Sequence, residues 1–184
     1  GTKQGGVCAW VVGDATVNGS ETLTSFKQAL FFRECGFNVE TMIYEVAGTG
    51  AKGSNKYYWQ SFEYMFVLSK GQPKTSNLIR DKKNVKAGAR ISGSPKNESL
   101  GTRKSKGREN IIVSDFGIRQ NIWRYHVGQN GGDITSHPAP FPERLAQDHI
   151  ISWSNEGDIV LDCFAGSGTT LKMAKMLSRH YIGI

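Results

Sequence analysis

A short run near the carboxyl end of the sequence, LDCFAGSGTT at residues 161–170, has the residue types of a loop that binds a charged ligand. Asp162 ends a strand-like apolar stretch, and Gly166 and Gly168 precede a segment with helical periodicity. Glycines let the backbone approach a ligand closely, and the start of a helix offers free N–H groups carrying about half a unit of positive charge. The run therefore predicts a ligand-binding turn between a strand and a helix.

Three kinds of ligand loop compete for this run. A Walker A loop needs a lysine directly after its second glycine, where this sequence has Thr169. A dinucleotide fingerprint needs a third glycine at the position of Leu171. The remaining pattern suits a carboxylate at the helix start and an ammonium group at Asp162, as in the amino-acid tail of S-adenosylmethionine. A structural strand-to-helix turn with a threonine N-cap is the alternative.

The rest of the chain supplies the elements that must position this loop. Apolar runs and helical spacing predict an α/β fold, with the first and fourth strands buried. The second and third strands form a hairpin with a long loop, and residues 110–128 contain short strand-like pieces. The predicted strands cover residues 6–14, 37–45, 62–70, 158–164 and 180–184, and the predicted helices cover residues 23–35, 141–154 and 169–178.

Composition restricts the class of protein. A chain of 184 residues with 38% hydrophobic residues can bury one core, and no apolar run approaches the roughly 18 residues of a membrane span. No signal peptide is visible in the sequence. The cysteines, Cys8, Cys35 and Cys163, have no CxxC spacing, and the four histidines lack metal-ligand spacing. We therefore expect a cytoplasmic protein without a bound metal or a membrane partner.

Positive charge is concentrated in one segment. Residues 72–110 contain eleven basic and three acidic side chains and therefore have a net charge of +8. The rest of the chain has a net charge of −1, which gives +7 for the whole chain. Such clustering favours a polyanionic partner, and a solvated loop is the alternative. The candidate contact residues are Lys74, Arg80, Lys82, Lys83, Lys86, Arg90, Arg103, Lys104, Lys106 and Arg108.

Two motifs near the carboxyl end resemble those of one enzyme family. Residues 137–145 read HPAPFPERL, and residues 162–170 read DCFAGSGTT. In this order and spacing they are similar to S-adenosylmethionine-dependent DNA methyltransferases that modify the exocyclic amine of adenine or cytosine. The similarity is to the circularly permuted beta group, in which the catalytic half precedes the cofactor half. The resemblance implies a Rossmann-like methyltransferase sheet in permuted order, incomplete at both ends in this chain.

The resemblance also implies a pocket for S-adenosylmethionine made from two segments. The glycine run lines the methionine side, and the segment before the second helix closes the pocket. Cys163 stands where the family usually has proline, and we expect this difference to be tolerated. The implied cofactor-binding residues are Pro138, Ala139, Pro140, Phe141, Asp162, Phe164, Gly166, Gly168, Thr169 and Thr170.

No catalytic residue is assigned. The family carries a [D/N/S]-P-P-[Y/F/W] motif that holds the target amine, and no two prolines of this sequence are adjacent. In the permuted order that motif belongs upstream of Gly1, and the acid that binds the cofactor ribose belongs after Ile184. We therefore expect a fragment that is inactive alone. Asp14 ends the first predicted strand, and it either borders the pocket for the flipped base or belongs to a strand-end turn.

The resemblance finally implies the organisation and partners of the protein. Residues 1–70 are the end of the catalytic half, residues 71–133 are a basic insertion that recognises the target, and residues 134–184 are the cofactor half, all in one structural domain. The implied partner is double-stranded DNA, with a homodimer or a missing segment of the enzyme as a further partner. The setting is restriction-modification in a bacterium, an archaeon or a phage. A DNA-binding remnant without activity and an RNA methyltransferase are the alternatives.

Overall fold

The computed structural model describes residues 2–47, 56, 58–91, 111–126 and 141–184. The chain forms two compact units, the first made of Gly1–Asn77 with Asn121–Ile184 and the second of Leu78–Gln120. The second unit falls within the predicted insertion at residues 71–133. The predicted division of the rest into a catalytic and a cofactor half stays a prediction.

The first unit is built on a four-stranded sheet in the order β1-β5-β4-β10. Strands β1 (Val7–Val12) and β4 (Asn38–Ala47) both run antiparallel to the central strand β5 (Phe62–Ser69). Strand β10 (Ile122–His126) runs parallel to β4. The antiparallel pairing of β4 with β5 confirms the predicted hairpin with a long loop.

The remaining elements of the first unit flank this sheet in sequence. A small hairpin of β2 (Thr16–Val17) and β3 (Ser20–Glu21) leads into helix α1 (Thr24–Glu34). Helix α2 (Glu143–Trp153) precedes the parallel pair β11 (Ile159–Asp162) and β12 (His180–Gly183), which helix α3 (Thr169–Met176) connects. In the described part of the chain, each helix is too short or too polar to cross a membrane.

Helix α2 packs into two apolar clusters, so that it links the sheet to the carboxyl-terminal elements. Leu145 lies with sheet residues such as Met65 and Trp123 in the first cluster. Ala146 and Ile150 lie in the second cluster with Met173 and Ala174 of α3. The sequence places Leu145, His149, Ile150 and Trp153 on one helical face, and the first three are buried. This face therefore fixes α3, and with it the loop that precedes α3.

Two predictions about burial are wrong. Strand β11, predicted to be buried, leaves Ile159 66% and Leu161 56% exposed. In the described residues its ladder partner is β12 alone, so one edge of β11 remains open. Strand β1, also predicted to be buried, lies at the edge of the four-stranded sheet, and none of its residues is buried.

The second unit is a two-stranded ribbon. Strand β6 (Lys82–Lys83) pairs with β9 (Phe116–Gly117), and β7 (Arg90–Ile91) pairs with β8 (Ile111–Ile112), both in antiparallel orientation. We call residues 82–91 and 111–117 the basic ribbon. Its strands are only two residues long, which explains why this part of the sequence shows no sustained period.

Candidate functional site

The glycine loop, residues 162–168, connects β11 to α3 and has the predicted strand-turn-helix form. Gly166 and Gly168 adopt φ angles of +50° and +82°, a left-handed conformation that is unfavourable for residues with a side chain. A Cβ atom placed on Gly168 would meet no described atom within 4 Å. The backbone conformation, and not lack of space, therefore requires glycine at this position.

Asp162 holds the loop in shape. Its carboxylate Oδ1 accepts a hydrogen bond from the backbone N–H of Phe164 at 2.9 Å. The Asp162 carbonyl accepts from the N–H of Ile184 at 3.0 Å, and the N–H of Ala165 donates to the Ile184 carbonyl at 3.2 Å. The carboxylate therefore lies at the end of β11, held by the first turn of the loop.

Helix α3 begins directly at the loop. Gly168 is its N-cap, and in the described residues no side chain caps this end, so the threonine N-cap of the alternative interpretation is not found. The Gly168 carbonyl accepts the first helical bond, from the N–H of Lys172 at 2.8 Å. The N–H groups of Thr169 and Thr170 belong to the first turn and have no intrahelical acceptor. The helix start therefore presents donors beside the Asp162 carboxylate.

A close approach between β12 and α3 supports the loop, and the sequence did not point to it. A Cβ atom on Gly183 would lie 2.4 Å from Leu171 Cδ1 and 3.1 Å from Ala165 Cβ. A side chain at this position would therefore push against both the helix and the loop. The only sequence signal is a glycine within a strand-like run, which indicates close packing of backbones.

The start of α2 lies beside the start of α3. Glu143 opens α2, and its Oε1 is 2.5 Å from Nζ of Lys172 in the first turns of α3. Phe141, two residues before Glu143, is 37% exposed. Glu143 and Lys172 thus bring together the starts of the two helices that follow the predicted pocket segments. Pro138, Ala139 and Pro140 lie outside the described residues.

An aromatic contact links the loop to the large sheet. The ring of Phe164 is 77% exposed and meets the ring of Trp10 edge-on, with centroids 5.9 Å apart. Trp10 in turn contacts Phe32 of α1, and its Nε1 donates to Gln28 Oε1 at 2.8 Å. Trp10 lies in the first predicted strand, and nothing in its spacing pointed to this contact, because it depends on the tertiary fold.

Cys8 of β1 lies near Cys163, the thiol of the glycine loop. Burial raises the pKa of Cys8, and the neighbouring Cys163 thiol adds to the rise. A thiol held in its protonated form is a poor nucleophile.

Asp14 caps helix α1. Its carboxylate accepts hydrogen bonds from the backbone N–H of Ser25 at 3.0 Å and from the hydroxyls of Ser25 and Thr22. Burial acts to raise the pKa of Asp14, but the hydrogen bonds from Ser25, Thr24 and Thr22 outweigh it and lower the pKa. The geometry supports the strand-end turn, and a role for Asp14 at a base pocket stays a prediction.

The basic ribbon carries four of the described basic candidates, and Arg80 lies just before it. Asp81 forms an ion pair with Arg119, with a 2.8 Å bond from Nε to Oδ2. The other described basic side chains of this unit are all exposed: Arg80, Lys82, Lys83, Lys86 and Arg90. Lys74, in the first unit, is also exposed. Arg103, Lys104, Lys106 and Arg108 lie outside the described residues.

Comparison with solved structures defines the fold class. The chain superimposes on PvuII DNA methyltransferase (cytosine-N4-specific) with a TM-score of 0.69 at 20% identity, over 98% of this chain and 59% of that one. It superimposes on the S-adenosylmethionine complex of M1.HpyAVI with a TM-score of 0.58 at 23% identity, over 99% of this chain and 68% of that one. The fold is therefore the Rossmann-like methyltransferase fold, as predicted.

The family follows from sequence. Residues 2–184 match the model of the N6/N4 methyltransferase family, described as DNA methylase. The orphan methyltransferase M.BamHII of Bacillus amyloliquefaciens is 50% identical over 99% of this chain and 70% of its own length. The chain belongs to this family of DNA methyltransferases, and the predicted class, which uses S-adenosylmethionine, is confirmed.

Proposed function

We propose that the protein containing this chain transfers a methyl group from S-adenosylmethionine to the exocyclic amine of adenine or cytosine in duplex DNA. The observation that carries the proposal is the pairing of Glu143 with Lys172, which places the start of α2 beside the start of α3. Because each motif contains one of these helix starts, the pairing supports a cofactor pocket formed by both motifs. Family membership supplies the type of reaction.

The donor set of the loop fits the amino-acid tail of the cofactor. The Asp162 carboxylate can accept from an ammonium group, and the first-turn N–H groups of Thr169 and Thr170 can donate to a carboxylate. The left-handed glycines keep side chains away from the ligand. Phe164, exposed above the loop, offers an apolar face to the rest of the cofactor.

Bound S-adenosylmethionine supplies a methyl group that is already activated on a sulfonium sulfur. The chief task of the protein is to align this carbon with the target nitrogen, and alignment of this kind accounts for about 7–11 kcal/mol of a barrier. The glycine loop fixes one end of the donor. The target base must leave the duplex, at a cost of a few kcal/mol that contacts with the DNA must offset.

The basic ribbon is the surface that we assign to DNA. The described residues of the second unit include six basic and two acidic side chains, and hence a charge of +4. Lysine and arginine at a duplex surface displace condensed counterions from the phosphates. This surface therefore supplies affinity that does not depend on sequence.

The test is methyl transfer by the protein expressed from its complete gene. S-adenosylmethionine labelled in its methyl group is incubated with duplex DNA or with duplex RNA of the same sequence, and the modified bases are identified by mass spectrometry. We expect label in N6-methyladenine or N4-methylcytosine of DNA. Label confined to RNA, label at carbon 5 of cytosine, or no transfer with intact cofactor binding would contradict the proposal, the last in favour of an inactive DNA-binding remnant.

A further inference from the structure

The two halves of the basic ribbon are out of register by three residues. Lys83 of β6 pairs with Phe116, and Arg90 of β7 pairs with Ile112. The chain takes seven steps from Lys83 to Arg90 but only four steps from Ile112 to Phe116. One strand of the ribbon therefore carries three more residues than its partner, which makes a large β-bulge.

Backbone hydrogen bonds show which residues are extra. The N–H of Asn84 donates to the Asp115 carbonyl at 2.8 Å, and the N–H of Gly88 donates to the Val113 carbonyl at 2.9 Å. Pairing resumes at Ala89, whose carbonyl accepts from the N–H of Val113 at 3.0 Å. The bulge therefore consists of three residues, Val85, Lys86 and Ala87.

The bulge is held in a defined conformation. Asn84 Nδ2 donates to the Ser114 carbonyl at 2.9 Å, which clamps its first end to the opposite strand. Gly88 closes its other end with a φ of +78°. Because both ends are fixed by bonds to the same partner strand, the bulge projects from the ribbon in one direction.

The bulge presents an apolar side chain among cations. Val85 is fully exposed, at 102% of its reference area. Lys83 and Lys86 stand on either side of it in sequence, and both are exposed. Lys82 and Lys83 are adjacent in a strand and point to opposite faces of the ribbon. The ribbon therefore has positive charge on both faces and a small apolar tip.

We propose that this bulge reads base sequence in the major groove of DNA, with Val85 against the C5-methyl group of a thymine. The proposal rests on the proposed function, since it names part of the recognition surface of that enzyme. The major groove admits a two-stranded ribbon, and apolar side chains contact the thymine methyl group there. Lysines on the two ribbon faces contact the phosphates of the two groove walls, which positions the tip without selecting a sequence.

The test compares Val85→Ser, which removes both side-chain methyl groups, with Ile112→Ser. Both residues are exposed and β-branched and lie in the ribbon, but Ile112 is outside the bulge. Protein from the complete gene selects duplexes from a randomised pool, and bound and methylated sequences are read separately. We expect Val85→Ser to weaken binding to the preferred site about tenfold and to relax one T·A position, while Ile112→Ser keeps the wild-type preference.

A second test changes the DNA together with the protein, as in a double-mutant cycle. Deoxyuridine at the relaxed position removes only the methyl group of thymine, so we expect wild-type binding to fall about tenfold and Val85→Ser binding to stay the same. Salt dependence should be equal for both proteins, because no phosphate contact changes.

The outcomes separate this inference from the proposed function. Site preference that is unaltered by Val85→Ser, or altered equally by Ile112→Ser, overturns the role of the bulge whether or not methyl transfer is seen. A pool from which the wild type selects no sequence overturns it as well. A Val85-dependent site without methyl transfer supports the bulge and contradicts the proposed function.

Discussion

The glycine loop and the basic ribbon are two candidate binding surfaces built in opposite ways. The loop depends on backbone: two left-handed glycines, a helix start and one carboxylate, with β12 packed behind it. The ribbon depends on side chains: its backbone forms an ordinary antiparallel ladder with a bulge, and the cations project from it. The first surface suits one small ligand, and the second suits a long polyanion.

This difference determines which substitutions weaken each surface. A backbone site fails when one φ angle or one close approach changes, whereas a charged surface loses affinity gradually as cations are removed. The two surfaces should therefore respond independently to substitution. Four predictions test that independence.

The largest effect is expected from the triple change of Lys82, Lys83 and Lys86 to Gln. If each contacts a phosphate, DNA affinity at 0.1 M salt falls about 500-fold and the slope of log affinity against log salt becomes less steep by about three. Fluorescence anisotropy over a salt series measures both. Changing three exposed lysines elsewhere, Lys3, Lys27 and Lys175, to Gln removes the same charge and should cost far less. Equal losses of DNA affinity in both triple variants would show that the ribbon lysines contribute only through the net charge of the protein.

The next effect concerns Asp162→Ala. Loss of a charged hydrogen bond to the cofactor ammonium costs about 2 kcal/mol, so affinity for S-adenosylmethionine should fall about thirtyfold in calorimetry. DNA affinity should stay the same. Asp158→Ala is the matched control, because Asp158 accepts the N–H of Asn155 at 2.7 Å at the opposite end of β11. A similar loss of cofactor affinity in the control would show a general defect of the strand.

Acid should destabilise the helices that support the loop. Burial lowers the pKa of His149 to about 4, although the Asp148 charge opposes the shift. Below pH 6.5 the unfolded chain binds a proton that the folded chain does not, so stability falls as pH falls from 6.5 towards 4. We expect a loss of about 2 kcal/mol between pH 6.5 and pH 5 in urea titrations.

Two variants check the assignment to His149. His149→Met, which keeps an apolar side chain against Trp123, should flatten the pH dependence in that window. His180→Gln changes an exposed histidine and should leave it as in the wild type. An unchanged pH dependence in His149→Met would show that other groups cause the acid effect.

The smallest effect is expected from Gly168→Ala. Because the added Cβ meets no described atom within 4 Å, the cost is the strain of φ +82°, about 1–2 kcal/mol. Gly157→Ala carries the same strain, with φ +79° and similar space in the described structure, but lies in the turn before β11. Both variants should lose equal stability by thermal denaturation, and only Gly168→Ala should weaken cofactor binding. Weaker binding in both would separate the effect from the loop.

The glycine loop could be predicted from sequence because its determinants are local. Asp162, Gly166 and Gly168 lie within seven residues, and the flanking strand and helix each have a clear period. The apolar face of α2 was predictable for the same reason. The start of α1 follows no local capping pattern. Its N-cap residue, Leu23, is left-handed and supplies no side-chain cap, and the cap comes instead from Asp14, eleven residues before Ser25.

The ribbon bulge could not be predicted, because it arises from pairing between distant segments. Residues 82–91 pair with residues 111–117, and their two-residue strands are too short to show alternation. Charge counting finds the segment but not its register. Gly183 and Trp10 were missed for a related reason, since their contacts with Leu171 and Phe164 exist only in the folded chain.

The most direct test of both binding surfaces is an amide chemical-shift map of this chain, recorded with each ligand in turn. With S-adenosylmethionine, we predict the largest shifts at residues 162–170 and at Phe141, and small shifts in the ribbon. With a duplex oligonucleotide, we predict the largest shifts at residues 80–91 and 111–119. If S-adenosylmethionine shifts other amides and leaves those of residues 162–170 unchanged, the glycine loop is not the cofactor-binding site.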